Sequence, residues 1–385
     1  MKLDQVIRPV FALCRVVLLL AGGSPALAKD TWAGVDRIVA IGDIHGDYEQ
    51  FVQLLRSSGL IDENDDWAGG QTHFVQTGDV PDRGADTRKV MDLLMKLEKQ
   101  AKEVKGYVHA LIGNHEAMNM YGDLRYVHPG EFAAFESPKS SDTRQGYYKQ
   151  HVSELKRHPP PGGLPEFGPD HLREWENDRP LGWFEHRSGF GAFGRYGRWI
   201  LKHNAVIQIN DTIFLHGGIG PKYAAMSIGD MNQRILMELR DFSKLKGGIV
   251  MDTQGPLWYR GLALHDERTE TAHLETVLGQ HQAKRIVMGH TVTEGTVMPR
   301  LGGRAVLIDA GLSRHYGGRL ACLLIEGGVP YVLHRGEKIP LPADDNPSSL
   351  LSYLEKAAAV DPGPSPLRRK IQQLRAALQA SETGR

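Results

Sequence analysis

Six short segments of the sequence combine glycine with side chains that bind metal ions or phosphate. Aspartate, asparagine and histidine ligate divalent cations, and arginine pairs with phosphate oxygens. The segments are Gly-Asp-Ile-His-Gly at residues 42–46, Gly-Asp-Val-Pro-Asp-Arg-Gly at 78–84, Gly-Asn-His-Glu at 113–116, His-Gly-Gly at 216–218, Tyr-Arg-Gly at 259–261 and Gly-His at 289–290. The simplest site that uses all these groups is a two-metal centre that hydrolyses phosphoesters.

Six residues within these segments are candidate metal ligands. A carboxylate between two cations can bridge them, and we expect this of Asp79. A single aspartate at a strand end is as often a helix N-cap, and a single histidine is more often an ordinary hydrogen-bonded residue. Six ligand types in matching positions favour metal binding over these alternatives. The candidates are Asp43, His45, Asp79, Asn114, His216 and His290.

The donor set indicates which cations the site would hold. Mixed nitrogen and oxygen ligation suits two divalent ions such as Mn, Fe or Zn better than Ca. Two such ions about 4 Å apart can polarise a phosphoryl oxygen and supply a hydroxide nucleophile at neutral pH. The sequence has no Cys-x5-Arg loop and no recognisable nucleophilic serine motif, which agrees with a mechanism that needs no covalent nucleophile.

The remaining residues of the segments suggest catalytic roles. The charge of a phosphoryl transition state requires fixed cations, and Arg83 and Arg260 are the candidates. A surface salt bridge is the alternative for Arg260. His115 follows a candidate ligand directly, so it would point into the site and could protonate the leaving oxygen, with Asp82 keeping it charged. Glu116 is expected to support the site without binding metal.

Predicted strands place these segments at one edge of a sheet. Five of the six segments follow a run typical of a buried β-strand, and ligands bind outside the carboxyl ends of strands in open α/β sheets. A shared crevice follows from that arrangement. The five predicted strands cover residues 37–41, 72–77, 107–112, 212–215 and 285–288.

The first three strands alternate with predicted helices at residues 48–57 and 85–103, which is the βαβαβ pattern of an α/β layered domain. Further strands are predicted at 206–209, 305–308, 321–325 and 331–334. The quick succession of strands at the end of the series indicates a partly antiparallel second sheet.

Residues 121–200 interrupt this pattern and are predicted to form an inserted, mostly helical cap beside the site. A long surface excursion is the alternative, although it would be unusual at this length. The domain would span residues 29–340. Residues 341–385 would form a tail with an amphipathic helix at 366–379, which either docks on the domain or on a partner, or stays mobile.

Composition limits the classes of function. The 385 residues are 41% hydrophobic, enough for one large domain or two small ones. Lys plus Arg and Asp plus Glu both number 46, so no global charge favours nucleic acid or an acidic membrane surface. The oligomeric state is left open.

The first 28 residues have the features of a cleaved secretory signal. Lys2 and Arg8 precede an apolar run, and Ala-Leu-Ala at 26–28 resembles a cleavage site. An uncleaved anchor or a buried helix is the alternative. Cleavage predicts a periplasmic or secreted protein with no stable membrane association, starting at Lys29. Only Cys322 would remain, so no internal disulfide is expected.

The motifs resemble those of the calcineurin-like metallophosphoesterases and, more narrowly, the PPP protein phosphatases. Gly-Asp-x-His-Gly, Gly-Asp-x-x-Asp-Arg-Gly, Gly-Asn-His-Glu and His-Gly-Gly all match, over roughly residues 38–328. The blocks Gly-Pro-Leu-Trp-Tyr-Arg-Gly at 255–261 and Gly-Asp-Leu-Arg-Tyr-Val at 122–127 resemble the Shewanella-like branch. The second histidine of the broader superfamily's Gly-His-x-His is absent, which also favours the PPP group.

This resemblance implies an α/β fold, a β-sandwich flanked by helices, with a dinuclear centre. Asp43, His45 and Asp79 would hold one metal, and Asp79 would share the other with three further residues, namely Asn114, His216 and His290. His115 with Asp82 would form the acid pair, and Arg83 with Arg260 the phosphate clamp. The segment 309–317 lies where eukaryotic members carry a tyrosine that faces the site, but its surroundings differ, so no role is assigned to Tyr316.

The leading interpretation is a metal-dependent phosphomonoesterase that acts on phosphoproteins, at serine, threonine or tyrosine. A dinucleoside polyphosphate hydrolase or another small-molecule phosphoesterase is the enzyme alternative, because such enzymes share two of the motifs. A non-catalytic phosphate-binding module is a second alternative, against which the complete ligand set argues.

Overall fold

The computed structural model describes residues 28–383, in which twelve strands form two sheets. The predicted buried runs all form strands: four have the predicted ends, and the others differ by one or two residues at an end, some shorter and some longer than predicted. The strands are β1 (Thr31–Trp32), β2 (Arg37–Ile41), β3 (His73–Gln76), β4 (Tyr107–Ala110), β5 (Val206–Ile209), β6 (Thr212–Leu215), β7 (Arg285–Met288), β8 (Met298–Arg300), β9 (Ala305–Leu307), β10 (Ala321–Glu326), β11 (Val329–His334) and β12 (Glu337–Pro340).

Thirteen α-helices connect or cover these strands within the described residues. They are α1 (Tyr48–Ser57), α2 (Thr87–Glu103), α3 (Asn114–Tyr121), α4 (Pro129–Ala134), α5 (Ser140–Arg157), α6 (Pro169–Asn177), α7 (Trp183–Phe190), α8 (Arg195–Ile200), α9 (Ile228–Arg240), α10 (Gly261–Leu264), α11 (Glu267–His281), α12 (Pro347–Ala359) and α13 (Arg368–Thr383).

The predicted βαβαβ unit forms half of one mixed sheet, with strand order β12-β11-β10-β2-β3-β4. Strands β2, β3 and β4 are parallel, with Ile38 opposite His73 and His73 opposite Tyr107. Strand β10 pairs antiparallel with β2. Helix α1 begins after Asp47, which caps it, and buries Phe51 against the sheet.

The second mixed sheet has the order β1-β5-β6-β7-β9-β8. Strands β6, β7 and β9 are parallel, so their carboxyl ends meet at one edge, as those of β2, β3 and β4 do in the first sheet. The late strands divide between the sheets, because β7 and β9 join the second sheet while β10 and β11 extend the first. Side chains of both sheets, such as Val39 and Val287, belong to one continuous hydrophobic core.

The inserted segment is helical, as the sequence predicts. Helices α4 to α8 occupy most of residues 129–200, and no strand is assigned within that described range. Helix α7 packs against α3, α4, α5 and α8, so the insertion is attached to the helix that follows β4.

The C-terminal residues form two packed helices, α12 and α13. The sequence predicts α13, and its buried residues Ile371 and Leu374 join the core, which favours docking over a mobile tail. The other helix, α12, is not predicted. It anchors to the second sheet's side through Tyr353, whose hydroxyl donates to the Val297 carbonyl oxygen at 2.7 Å.

No helix among residues 28–383 is long and apolar enough to cross a bilayer. The predicted signal sequence, residues 1–28, lies outside the described residues except for its last residue, and its fate stays a prediction.

Candidate metal centre

The six predicted ligands come together at the carboxyl ends of four strands and at the start of one helix. Asp43 and His45 follow β2, Asp79 follows β3, and Asn114 opens α3 after β4. His216 and His290 follow β6 and β7 of the other sheet. All six are at most 6% exposed. This burial matters because polar groups removed from water need partners of opposite character.

Asp79 lies at the centre of the cluster. Its Oδ2 atom is 3.9 Å from His45 Nε2 on one side and 3.2 Å from His216 Nε2 on the other. Asp79 belongs to both groups of ligand atoms that lie within 4.8 Å of one another, one with His45 and His115, the other with His216 and His290. A single carboxylate between two sets of donors is the arrangement of a bridging ligand.

The hydrogen bonds of two histidines leave bare nitrogens that face this carboxylate. His45 Nδ1 lies 3.1 Å from the Pro81 carbonyl oxygen, and His216 Nδ1 lies 3.0 Å from the Thr77 carbonyl oxygen. A carbonyl only accepts, so each Nδ1 carries a proton, and Nε2 is the ring atom left to bind a cation. Burial lowers the pKa of His45 to about 3, which keeps that ring neutral.

On the second side, acceptor atoms face one another. His216 Nε2 is 2.8 Å from Asn114 Oδ1 and 3.0 Å from His290 Nδ1. Burial, with the charges of His216 and Arg260, lowers the pKa of His290. Nitrogen and oxygen donors converge here, and His290 Nε2 is buried without a hydrogen-bond partner. A divalent cation suits this mixed donor set.

Asp43 completes the first side. Its Oδ2 lies 3.8 Å from His45 Nε2, while its Oδ1 accepts a hydrogen bond of 3.0 Å from the backbone N–H of His290. Burial and the nearby carboxylates of Asp309 and Asp79 raise the pKa of Asp43 well above its usual range. Several carboxylates this close together are unfavourable unless positive charge lies among them.

The backbone at the site is strained. His45, Asp79 and His290 have φ angles of 48°, 58° and 64°, in the left-handed region that costs non-glycine residues about 1–3 kcal/mol each. Gly78, with a φ of 95°, shows how close the loops approach: a Cβ there would lie 2.5 Å from Gly113 N. The tight crossing explains why glycine precedes the bridging aspartate.

His115 and Asp82 form the predicted pair. His115 Nδ1 and Asp82 Oδ2 are in direct contact, and Asp82 Oδ1 accepts a 2.9 Å hydrogen bond from Asn119. Burial disfavours the charged imidazolium, but Asp79 and Asp82 outweigh it and raise the pKa of His115 to about 9. The free Nε2 atom lies 3.7 Å from Asp79 Oδ2, so the ring faces the centre.

Glu116 supports the loops from behind, as expected. Its carboxylate accepts hydrogen bonds of 2.9 Å from the Asp79 N–H, 2.7 Å from the Val80 N–H and 2.7 Å from the Gly113 N–H. It therefore fixes the turn that carries the bridging carboxylate to the turn that carries Asn114.

The two predicted arginines lie on opposite sides of the centre. The Arg83 guanidinium stacks on the Tyr126 ring at 4.0 Å, and its buried Nε has no hydrogen-bond partner. Arg260 donates to the His290 carbonyl oxygen at 2.6 Å and to Thr291 Oγ1 at 3.1 Å. The alternative of a surface salt bridge for Arg260 does not match these contacts.

The structure adds residues that the sequence analysis did not single out. Asp309 is 2% exposed and accepts a 3.1 Å hydrogen bond from the Gly311 N–H. Burial raises its pKa to about 6, and its charge helps to raise the pKa of Asp43. Asp309 follows a strand in the same way as the predicted ligands, which is a signal that could have identified it. Tyr126 lies in the block at 122–127 that resembles the Shewanella-like branch, but nothing in that block predicts its contact with Arg83, which depends on how the insertion folds back.

Tyr316 does face the site, at a ring distance of 5.3 Å from His45. It lies in a short 3₁₀ turn after Asp309 and is half-buried. Two phenol rings thus border the centre, Tyr316 beside His45 and Tyr126 5.2 Å from His115.

Comparison with known proteins agrees with this geometry. Residues 36–294 match the calcineurin-like phosphoesterase family. The chain is 31% identical to an uncharacterized protein of Schizosaccharomyces pombe (79% of this chain, 82% of that protein) and 31% identical to Shewanella-like protein phosphatase 2 of Arabidopsis thaliana (72% of each). A crystal structure of the cold-active protein-tyrosine phosphatase of a psychrophilic Shewanella species is similar, with a TM-score of 0.62, 27% identity and coverage of 82% of this chain and 83% of that one.

The six ligands, arranged around one shared carboxylate, fit the two divalent metals that this family uses. The resemblance, the fold class and the enzyme class predicted from the sequence are confirmed. The chain belongs to the calcineurin-like phosphoesterase family, in its Shewanella-like protein phosphatase branch, and is a metal-dependent phosphatase.

Proposed function

We propose that this protein removes phosphate from phosphoproteins, with phosphotyrosine as the preferred residue. The observation that carries the proposal is the position of Asp79, which belongs to two groups of metal-binding side chains and has its Oδ2 3.7 Å from His115 Nε2. Metal donors, a proton donor and two arginines thus surround one crevice.

Each predicted ligand has a role in the proposed centre. Asp43 and His45 would hold the first cation, and Asp79 would contribute to both sites. Asn114, His216 and His290 would hold the second cation. Mn, Fe and Zn all suit this set of nitrogen and oxygen donors. Bound cations supply positive charge that polarises a phosphoryl oxygen and acidifies water.

His115 acts as the proton donor to the leaving oxygen. Asp82 holds Nδ1, which leaves the proton on Nε2 directed at the crevice. A positioned general acid contributes about 10²–10⁴-fold, and the contribution is larger when the leaving group is a poor one. Replacement of His115 by Asn should therefore slow alkyl phosphates much more than nitrophenyl phosphate.

The arginines bind the phosphate oxygens from opposite sides. Arg83 has a buried Nε without a partner, and its planar group is held flat on Tyr126. Arg260 is fixed by the backbone of His290 and by Thr291. Guanidinium groups in fixed orientation suit the bidentate recognition of phosphate.

The choice of phosphotyrosine has two supports. The similar crystal structure is that of a protein-tyrosine phosphatase. In addition, the rings of Tyr126 and Tyr316 border the centre on the His115 and His45 sides. Aromatic side chains favour an aromatic leaving group through edge-to-face or offset contacts, and the aliphatic serine and threonine side chains cannot make those contacts.

A substrate panel tests the proposal. The purified, metal-loaded enzyme is given matched phosphotyrosine, phosphoserine and phosphothreonine peptides and diadenosine tetraphosphate, and kcat/KM is measured for each. We expect phosphotyrosine peptides to exceed the other peptides by at least about tenfold, since aromatic pairs contribute about 0.5–1.5 kcal/mol each. Preference for the dinucleoside polyphosphate would overturn the phosphoprotein assignment, and equal rates on the three peptides would overturn the tyrosine preference.

A further inference from the structure

One turn carries Asp82 of the acid pair and Arg83 of the phosphate clamp, and its backbone has a conformation that these two residue types disfavour. Asp82 and Arg83 are consecutive, and both have left-handed backbones, with φ angles of 74° and 67°. Neither is glycine, so the turn persists only if surrounding groups hold it. The question is which groups do so.

The inserted segment supplies those groups. The Arg83 N–H donates to the Tyr126 carbonyl oxygen at 3.0 Å, and the Asp82 N–H donates to Glu131 Oε2 at 3.3 Å. Glu131 lies on α4 and is fully buried. The same oxygen accepts a 2.8 Å hydrogen bond from the Thr87 hydroxyl at the start of α2. Glu131 therefore connects the turn that contains Asp82 to its own helix, α4, and to the start of α2.

A second helix of the insertion holds Glu131 in place. His186, on α7, has its Nε2 3.1 Å from Glu131 Oε1 and is itself fully buried. Burial lowers the pKa of His186 to about 3, so the ring is neutral. Burial and the charge of Asp82 raise the pKa of Glu131 to about 8. A neutral carboxylic acid can then donate from Oε1 to His186 Nε2 while Oε2 accepts from the turn and from Thr87.

We propose that Glu131 is a positioning residue for the His115–Asp82 pair, so that the helical insertion is a part of the catalytic apparatus. Glu131 is fully buried and does not touch substrate. Its carboxyl group fixes the backbone of Asp82, and Asp82 in turn orients the His115 ring. The inference rests on the proposed role of His115 as the proton donor.

The test compares Glu131→Ala with Glu131→Gln on two phosphomonoesters, nitrophenyl phosphate with a good leaving group and an alkyl phosphate with a poor one. A glutamine fits the same contacts, because its amide oxygen can accept from Asp82 and Thr87 while its NH₂ donates to His186. We expect Glu131→Gln to retain kcat within about threefold. Glu131→Ala should lower kcat for the alkyl phosphate by about 10–100-fold, as expected for a misplaced catalytic group, with a much smaller loss for nitrophenyl phosphate and little change in KM.

Two further variants keep the test decisive. Glu131→Asp withdraws the carboxyl group by one methylene without removing it, so it covers the case in which Glu131→Ala does not fold, and it should show the same leaving-group dependence to a smaller degree. Ser140→Ala is the matched control within the insertion, since it removes a partly buried 2.6 Å hydrogen bond to Glu185 that does not involve Asp82. It should leave both rates unchanged.

The outcomes separate this inference from the proposed function. Equal losses on both substrates in the folded Glu131 variants, or equal activities of Gln and Ala, would overturn the positioning role. His115→Asn provides the reference: if it shows leaving-group dependence while the Glu131 variants do not, the inference alone fails. If neither shows it, the assignment of His115 as the acid fails as well.

Discussion

At the scale of single residues, the buried carboxylate of Asp79 and the histidines around it stabilise each other's charged forms. Asp79 is buried, and burial by itself would raise its pKa, but His115 and His216 hold the pKa of this carboxyl well below its usual range. The carboxylate that bridges the proposed cations is thus kept ionised by neighbouring histidines. In turn it helps to keep His115 protonated.

Asp79→Asn should abolish metal binding and activity together, because one substitution removes negative charge from both cation positions. We expect turnover of nitrophenyl phosphate to fall by more than about 100-fold. Substitution of residues that only hydrogen-bond to metal ligands already lowers metal affinity or activity by about 10–100-fold. Metal content and turnover are measured on the same sample. Asp230→Asn, at a surface carboxylate that bonds Ser227, is the control. Two bound metals with a near-normal rate in Asp79→Asn would contradict the bridging role.

The His115 pair should make the stability of the metal-free protein depend on pH. The folded pKa of about 9 exceeds the usual value of 6.5, so the folded state binds the proton more tightly than the unfolded state. The contribution is fully present below pH 6.5 and is lost as pH rises through about 9. The difference in unfolding free energy between wild type and His115→Asn, measured in chelator, should shrink over that range. A difference that stays constant from pH 6 to pH 10 would contradict the raised pKa.

At the scale of elements, the insertion is connected to the site through α3. That helix begins at Asn114 and His115. Near its end, the backbone carbonyl oxygens of Asn119 and Met120 accept hydrogen bonds from the guanidinium group of Arg187 on α7, the second at 3.3 Å. Helix ends leave unsatisfied carbonyl groups, and a cation there also suits the helix dipole. Arg187 therefore fixes the orientation of the helix that presents the acid.

Removal of this cap should destabilise the fold. Arg187→Ala should lower the free energy of unfolding by about 1.5–3 kcal/mol, as for hydrogen bonds to charged groups, and chemical denaturation measures the change. Arg173→Ala removes an exposed pair with Asp170 on α6 and should cost at most about 1 kcal/mol. Similar values for the two variants would show that Arg187 does not cap α3.

Elements near the motifs could be predicted from sequence because each buried strand is a continuous apolar run that ends in glycine and a ligand. Edge strands β1, β8 and β12 could not, since two to four residues provide too short a pattern. Helix α12 was missed because its segment begins among proline, serine and aspartate, although Asn346 and Pro347 form a regular helix start. Contacts between residues far apart in the sequence, such as Glu131 and Asp82, cannot be predicted from local sequence patterns.

At the scale of the whole molecule, one core unites both sheets, and the C-terminal helices extend it. Equal numbers of acidic and basic residues leave no overall field to attract polyanions, so recognition of substrate depends on the charges within the crevice. Which phosphoproteins the enzyme encounters then depends on the cellular compartment in which it is located.

We propose that the protein is exported and that its mature chain begins at Lys29. The support is the order of basic start, apolar run and Ala-Leu-Ala in residues 1–28. N-terminal sequencing of the protein from its native host, after cell fractionation, checks this. Recovery in the periplasm or medium with Lys29 first is expected, and residues 1–28 intact on a soluble cytoplasmic enzyme would contradict export.

The central claim is that catalysis requires two cations held around Asp79. It is tested most directly by stripping the protein of metal and titrating Mn²⁺ back while turnover of a phosphotyrosine peptide is followed. The account predicts negligible turnover without metal, a rise with added Mn²⁺ and a plateau at two equivalents per chain. Full turnover in the stripped protein, or a plateau at one equivalent, would contradict it.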